Sequence, residues 1–370
     1  MKSSFVVVLL LTIIFSACNH RSVNENNESF KTYFWLGSYT DGNSKGIYQY
    51  SLSDSGFVKL EKLAAISENP SFLTKSADGK FLLVVNENSS EGKVSLYQII
   101  KDSLVFVNSQ ISGGEHPCYI TINQNNTVLT ANYSSGSIGL HNLSEENTLS
   151  ELLFKELHTG KSSHERQQGP HAHSVYFLED DWVVSADLGS NQLWFSRLDS
   201  NQSILLMNDS IKISLPEGSG PRHLAITKAF EQIYVLNELS STITLLQKDS
   251  GVYYRTLQHF STLPVNFEGE NLAADIHLSS DERFVYASNR GHNSIAVFER
   301  NIHNGSLQLV AHEIVRGEWP RNFALSPDNS FLLVANQHSN NIVVFKRNPE
   351  NGTLQFVSET EAFAPVSILF

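Results

Sequence analysis

The apolar and polar positions of this chain recur in a fixed phrase. Six times, a tetrad of the form Pro-x-x-apolar or its equivalent passes through a polar turn into an apolar run that closes on Asn or Asp. The first copy reads Pro70-Ser71-Phe72-Leu73, then Asp78-Gly79, then Val84-Val85-Asn86. The others occupy 117–132, 171–187, 221–237, 273–289 and 320–336, with openings spaced 47, 54, 50, 52 and 47 residues apart. A period of that size, carried by short strands without helical stretches, predicts propeller blades.

In the first copy, strands over 71–75 and 81–86 flank the Asp78-Gly79 hairpin turn, with a third strand over 93–99 and a fourth over 104–110. Third strands with alternating polarity follow over 137–143, 192–198, 242–247, 294–299 and 341–346. The two ends supply the missing pieces of one more blade. Residues 365–370 read as a first strand with nothing after it, and 33–39 as a second strand with nothing before it. Strands over 46–52 and 57–63 complete that blade. The prediction is an all-β, seven-bladed propeller over 32–370, closed by N- and C-terminal strands that share one blade and so leave no open sheet edge.

Composition adds a leader and removes several partners. Lys2 precedes an apolar run over 5–15 that ends in Phe15-Ser16-Ala17-Cys18. This resembles a bacterial lipoprotein signal in which Cys18 becomes the lipidated first residue, with Phe15 where Leu is usual. It implies a targeting segment over 1–18, a polar Asn-rich tether over 19–31, and export to the bacterial envelope, facing periplasm or cell surface and held to the membrane only by lipid. A plain secretory signal is the alternative, and the run is too short to span a bilayer. Cys118 is then the one unmodified thiol, which excludes an internal disulfide, and it reads as a small buried hydrophobe. A net charge of −12 without a basic run argues against nucleic acid. Repeats explain the length without a second domain, and a monomer is expected.

A hairpin brings the start of its first strand beside the end of its second. Arg222 and His223 therefore fall near Asn237 and Glu238, Asp275 near Asn289 and Arg290, Arg321 near Asn336, and His173 near Asp187. Innermost strands line the propeller channel, so these groups, with His171 and Glu87, gather at one mouth. Asn86, Asn132 and Asn336 read as Asx residues bonding loop backbone. Arginine forks at a channel mouth instead suit a carboxylate or phosphate. The connections over 158–169 and 264–272 emerge on the same side, as walls.

Three stretches carry a family resemblance: Gly169-Pro170-His171-Ala172-His173 with Ala186-Asp187-Leu188-Gly189, Gly220-Pro221-Arg222-His223-Leu224 with Val235-Leu236-Asn237-Glu238, and Ala287-Ser288-Asn289-Arg290-Gly291. In these the chain resembles the seven-bladed propeller lactonases, which include propeller-type 6-phosphogluconolactonases and carboxy-muconate lactonizing enzymes. Ala172 stands where Pro is frequent, and the fifth copy opens on Ala273. The resemblance implies His173, Arg222, Glu238 and Arg290 as the catalytic set. His171, Asp187, His223, Asp275 and Arg321 are the expected substrate-binding neighbours. The implied reaction is hydrolysis of a sugar-derived lactone, acidic or phosphorylated. Glu238 or His173 would take the proton of water, while Arg222 and Arg290 stabilise the oxyanion. A muconate-type cycloisomerase would use the same groups, and a non-enzymatic envelope-binding propeller is the remaining alternative. No His-Glu-x-x-His motif occurs, and Gly42-Asn43-Ser44-Lys45-Gly46, in a chain without helical stretches, is no strand-to-helix nucleophile elbow, which argues against zinc and serine-esterase chemistry. Glu87, Asn132, Asp187, Asn237 and Glu238 offer oxygens to a hard cation, but three arginines would repel it, so no metal or other cofactor is expected.

Overall fold

The computed structural model describes residues 29–370. The targeting segment 1–18 with Cys18, and the tether up to residue 28, lie outside the described residues. Within them, seven four-stranded antiparallel sheets form and no helix occurs. Blade one joins Pro365–Leu369 to Phe30–Ser38, Gly46–Ser53 and Val58–Ile66. Blades two to seven follow in chain order. Their innermost strands are Pro70–Lys75, Pro117–Ile122, Ala172–Phe177, Pro221–Ile226, Leu272–Leu278 and Pro320–Leu325.

The apolar core is divided into seven clusters, one in each gap between neighbouring blades. The ring closes where Phe331, Leu333 and Val344 of blade seven meet Phe34, Leu36 and Tyr50 of blade one. A second strand is covered on both faces, so every residue of Phe81–Asn86, Thr127–Asn132 and Phe331–Asn336 is buried. That is why these segments read as unbroken apolar runs. The third strands depart from simple alternation for the same reason. Some of their polar residues are buried too and must find partners, as Ser95 Oγ does by donating to Asn86 Oδ1 at 2.7 Å.

Counting from the turn places Ser71 opposite Asn86, but Pro70 takes that place and Phe72 pairs with Val85. Ser71 is the extra residue of a β-bulge. The same slip occurs at Cys118, His173, Arg222 and Arg321, across Ala274–Asp275, and at Val366. All seven innermost strands thus carry a bulge near their first residue. A bulge frees one side chain from the alternation of the sheet and re-aims it.

The inward edges of these strands have no ladder partner, so their polar groups need others. Each junction around the axis supplies one. Leu73 N donates to Ser367 Oγ at 3.2 Å, Ser71 Oγ to Pro117 O at 3.5 Å, and Cys118 Sγ to His173 O at 3.3 Å. Ser174 Oγ donates to Arg222 O at 2.6 Å, and the Arg222 guanidinium to Ala274 O. Asn322 Nδ2 donates to Asp275 Oδ2 at 2.6 Å, and Ile368 N to Asn322 Oδ1 at 2.7 Å, which completes the circle.

Blade one contacts blade two so closely that a Cβ on Gly37 would lie 2.2 Å from the Pro70 carbonyl oxygen. Backbone cannot swing aside as a side chain can. Gly37→Ala is expected to cost about 1–3 kcal/mol through overpacking. Denaturant titration checks this, and an unchanged midpoint would mean that the seam is not rigid.

Candidate active site

Two repeat positions build the site. The Asn closing a second strand latches the connection that precedes its blade. Asn86 Nδ2 donates to Ser67 Oγ at 2.9 Å, Asn132 Nδ2 to Ser112 O at 3.1 Å, and Asn336 Nδ2 to Val315 O at 3.3 Å. The following residue is then held by its own amide. Glu87 N donates to Asn69 O at 3.0 Å, Tyr133 N to His116 O at 2.9 Å, and Glu238 N to Gly220 O at 2.7 Å. The residue at this position, blade by blade, is Tyr39, Glu87, Tyr133, Leu188, Glu238, Arg290 and Gln337. It neighbours the bulge residues, among which are His173, Arg222 and Arg321.

Glu238 is the hub. Arg166 Nη1 donates to its Oε1 at 2.6 Å, while Arg222 Nε and Arg290 Nη2 lie 2.9 and 2.8 Å from its Oε2. Burial opposes a charge on this carboxylate, yet Arg290, Arg222 and Arg166 outweigh it and hold the pKa at about 2. Arg166 Nη2 also donates to Tyr133 Oη at 2.8 Å. Arg321 stands 3.8 Å from Glu87 Oε2 and lies over the Tyr39 ring, and Tyr39 Oη donates to the same Glu87 oxygen at 2.8 Å. Arg290 lies over Trp319. Four guanidinia face two carboxylates, a surplus of two positive charges in a largely dry basin.

His173 is buried beside them. Burial, then Arg222, His223 and Arg321, push its pKa well below the ordinary histidine range, so its ring is neutral. It meets the Tyr133 and His223 rings edge-on at 5.5 and 5.3 Å, and its Nδ1 lies 3.7 Å from Cys118 Sγ. Burial pushes the Cys118 thiol up, which keeps it protonated. His171 stacks on Tyr133 at 4.6 Å with its Nδ1 3.0 Å from the Tyr133 carbonyl oxygen. A carbonyl only accepts, so Nδ1 carries a proton.

A family model described as Lactonase, 7-bladed beta-propeller matches residues 33–370. The chain belongs to this lactonase family. It is 36% identical over 295 residues to a 6-phosphogluconolactonase of Bacillus subtilis, covering 78% of this chain and 83% of that one. A 6-phosphogluconolactonase of Formosa agariphila is 35% identical over 306 residues, with 79% and 85% covered. A solved periplasmic gluconolactonase of Pseudomonas aeruginosa superposes with a TM-score of 0.87 at 30% identity, over 91% of this chain and 98% of that one.

In this member of the lactonase family, the residues read from the sequence separate into two groups. Arg222, Glu238, Arg290, Arg321, His173 and His171 share the basin. Asp187, His223 and Asp275 instead spend their polar atoms on protein partners, His223 with Nε2 3.3 Å from Arg222 Nη1 and Nδ1 donating to Asp275. Asp187 accepts from His171 N at 2.9 Å, Ser190 N at 2.7 Å and His158 Nδ1 at 2.8 Å. Asp275 accepts from His223 Nδ1 at 2.8 Å, His277 Nε2 at 3.0 Å and Asn322 Nδ2 at 2.6 Å. Three basin residues went unread. Tyr39 and Tyr133 occupy the same repeat position as Glu87 and Glu238, and aligning the copies would have found them. Arg166 comes from the 158–169 connection, which has no counterpart in the repeat and so no signal.

Glu238→Gln leaves Arg222 and Arg290 buried without their counter-charge and should cost about 3–5 kcal/mol. Arg166→Ala removes a half-exposed partner and should cost about 1 kcal/mol or less. The Glu238 carboxylate contributes stability above about pH 4.3, and that contribution is lost as pH falls from there towards its folded value. Chemical denaturation between pH 3 and 7 should therefore show a steeper acid limb in the native protein than in Glu238→Gln. Equal losses in the two variants would remove Glu238 from the centre of the network.

Proposed function

We propose that this protein hydrolyses a sugar-derived lactone bearing an anionic group, with Arg222 and Arg290 at the carbonyl oxygen, His173 taking the proton of water, and Arg321 holding the anion. The carrying observation is the convergence of Arg166, Arg222 and Arg290 on Glu238 beside a neutral imidazole. Water adds to the lactone carbonyl while His173 accepts its proton. The negative charge that develops on oxygen meets guanidinia already oriented by Glu238, with no solvent to rearrange. Collapse breaks the ring C–O bond, and the imidazolium returns the proton to the departing alkoxide. The product is a hydroxy acid.

Of the two candidate bases, the geometry favours His173. Both Glu238 oxygens are engaged by guanidinia, which ties this carboxylate to the arginines and away from a water. Glu238 then serves to aim the arginines. Asp187 acts indirectly, by fixing His158 and the connection that delivers Arg166. The surplus of positive charge supports an anionic substrate over a neutral one. We read the enzyme as exported and lipid-anchored through Cys18, a reading with which likeness to a periplasmic gluconolactonase agrees as far as export goes.

The test is hydrolysis of phosphorylated, carboxylated and neutral sugar lactones by the mature protein, followed with a pH indicator. Arg290→Ala should lower kcat by about 10²–10³-fold, as loss of an oxyanion donor does. Arg321→Ala should raise KM for an anionic lactone by about tenfold or more and leave that for a neutral lactone within about threefold. Equal effects on the two substrates would deny Arg321 the anion, and undiminished kcat in Arg290→Ala would overturn the assignment at the carbonyl.

A further inference from the structure

A continuous polar chain leaves the basin and runs through the wheel towards its opposite face. Arg222 Nη1 lies 3.3 Å from His223 Nε2, and His223 Nδ1 lies 2.8 Å from Asp275 Oδ1. The second carboxylate oxygen of Asp275 lies 3.0 Å from His277 Nε2. Directions follow from what each atom can do. A guanidinium only donates, so His223 Nε2 accepts and its Nδ1 carries the proton to Asp275. Asp275 therefore fixes the tautomer of His223, and His223 fixes one edge of the Arg222 guanidinium. Arg222, Arg290 and Glu238 then take the arrangement described above.

His277 closes this chain at an accessible place. It is the penultimate residue of its innermost strand, paired with Tyr286 near the turn end and away from the basin. Its side chain is 42% exposed, whereas Asp275 and His223 are buried. It opens into a groove of about 300 Å³ lined also by Lys228, Ser280 and Glu282 of the far-side turns. Solvent can thus protonate it while substrate fills the basin.

We propose that His277 is a positioning residue for the lactonase reaction, whose protonation on the face remote from substrate sets, through Asp275 and His223, the positive potential that Arg222 adds to the basin and so its affinity for an anionic lactone. The inference rests on the function proposed above and adds a residue and a pH dependence to it. With His277 protonated, the Asp275 charge is balanced and Arg222 is left to Glu238 and the substrate. With His277 neutral, an uncompensated buried carboxylate competes for Arg222 and lowers the positive potential of the basin. The groups facing His277 are few. Asp275 lies on its own strand, His223 and Arg222 on blade five, and neutral Asn322 and Phe323 on blade seven. Lys228 and Glu282 stand at the groove, where Lys228 Nζ donates to Ser280 O and Lys228 N donates to Glu282 Oε1. Burial lowers the affinity of His277 for a proton, but Asp275 outweighs it, so the net direction is upward from the ordinary value.

The experiment measures KM and kcat for an anionic lactone between pH 5.5 and 9 in the native protein, His277→Gln and His277→Ala. Gln keeps a donor for Asp275 but cannot ionise. The native KM should rise about fivefold or more as pH climbs through the His277 titration. His277→Gln should hold the high alkaline KM at every pH with kcat retained, and His277→Ala should lose kcat as well. Native-like pH dependence in His277→Gln overturns the proposal. A readout independent of turnover is the Arg222 Nε–H resonance followed against the His277 ring in NMR titrations. A shared midpoint supports the coupling even if no lactone is hydrolysed, and an Arg222 signal that ignores the His277 titration refutes it.

Discussion

The unpaired inward edge of each innermost strand is the constraint from which the rest of this structure follows. A closed wheel covers the faces of its sheets with neighbouring blades, but it leaves seven innermost strand edges facing the axis, where backbone groups still need partners. Here the partners are side chains and amides of the next blade, passed around the axis from Ser367 to Asn322. Polar residues are therefore required on the inner strands for structural reasons. A bulge at the head of every such strand re-aims one side chain, and at Ser71, Cys118 and Arg222 that side chain itself bonds the neighbouring blade. His173, Arg222 and Arg321 occupy bulge positions.

The second constraint is electrostatic. Arginines brought to one dry mouth repel each other and cost desolvation energy unless a carboxylate balances them. Glu238 does this for three, and Glu87 with Tyr39 does it for Arg321. Balance is incomplete, which makes the basin cationic. Fully paired, it would be a structural network with little to offer a ligand. Left with excess positive charge and pre-aimed donors, it is suited to an anion whose carbonyl gains charge in the transition state.

Much of this was legible before any coordinates. The repeat period, the split blade and the identity of the mouth residues all sit in local pattern, because strand, turn and strand are adjacent in sequence. Arg222 with Glu238 was found by counting from a turn, and the one-residue bulge was too small an error to separate them. The reading failed where partners came from another blade. Asp275 seemed a mouth residue because its register lies near Arg290, yet its oxygens are spent on His223, His277 and Asn322. Arg166 reaches Glu238 across 72 residues from a non-repeating connection, and no spacing announces it.

The sequence alone determined the number of blades, how the ends close the ring, and which residue types stand at the head of each inner strand, since these depend on hydrophobic period and turn chemistry within about fifty residues. Only the tertiary structure decided which charges are spent and which remain. That outcome depends on distances between blades, on the burial that keeps His173 neutral and the arginines that keep Glu238 ionised, and on the axial contacts that turn a carboxylate towards a histidine.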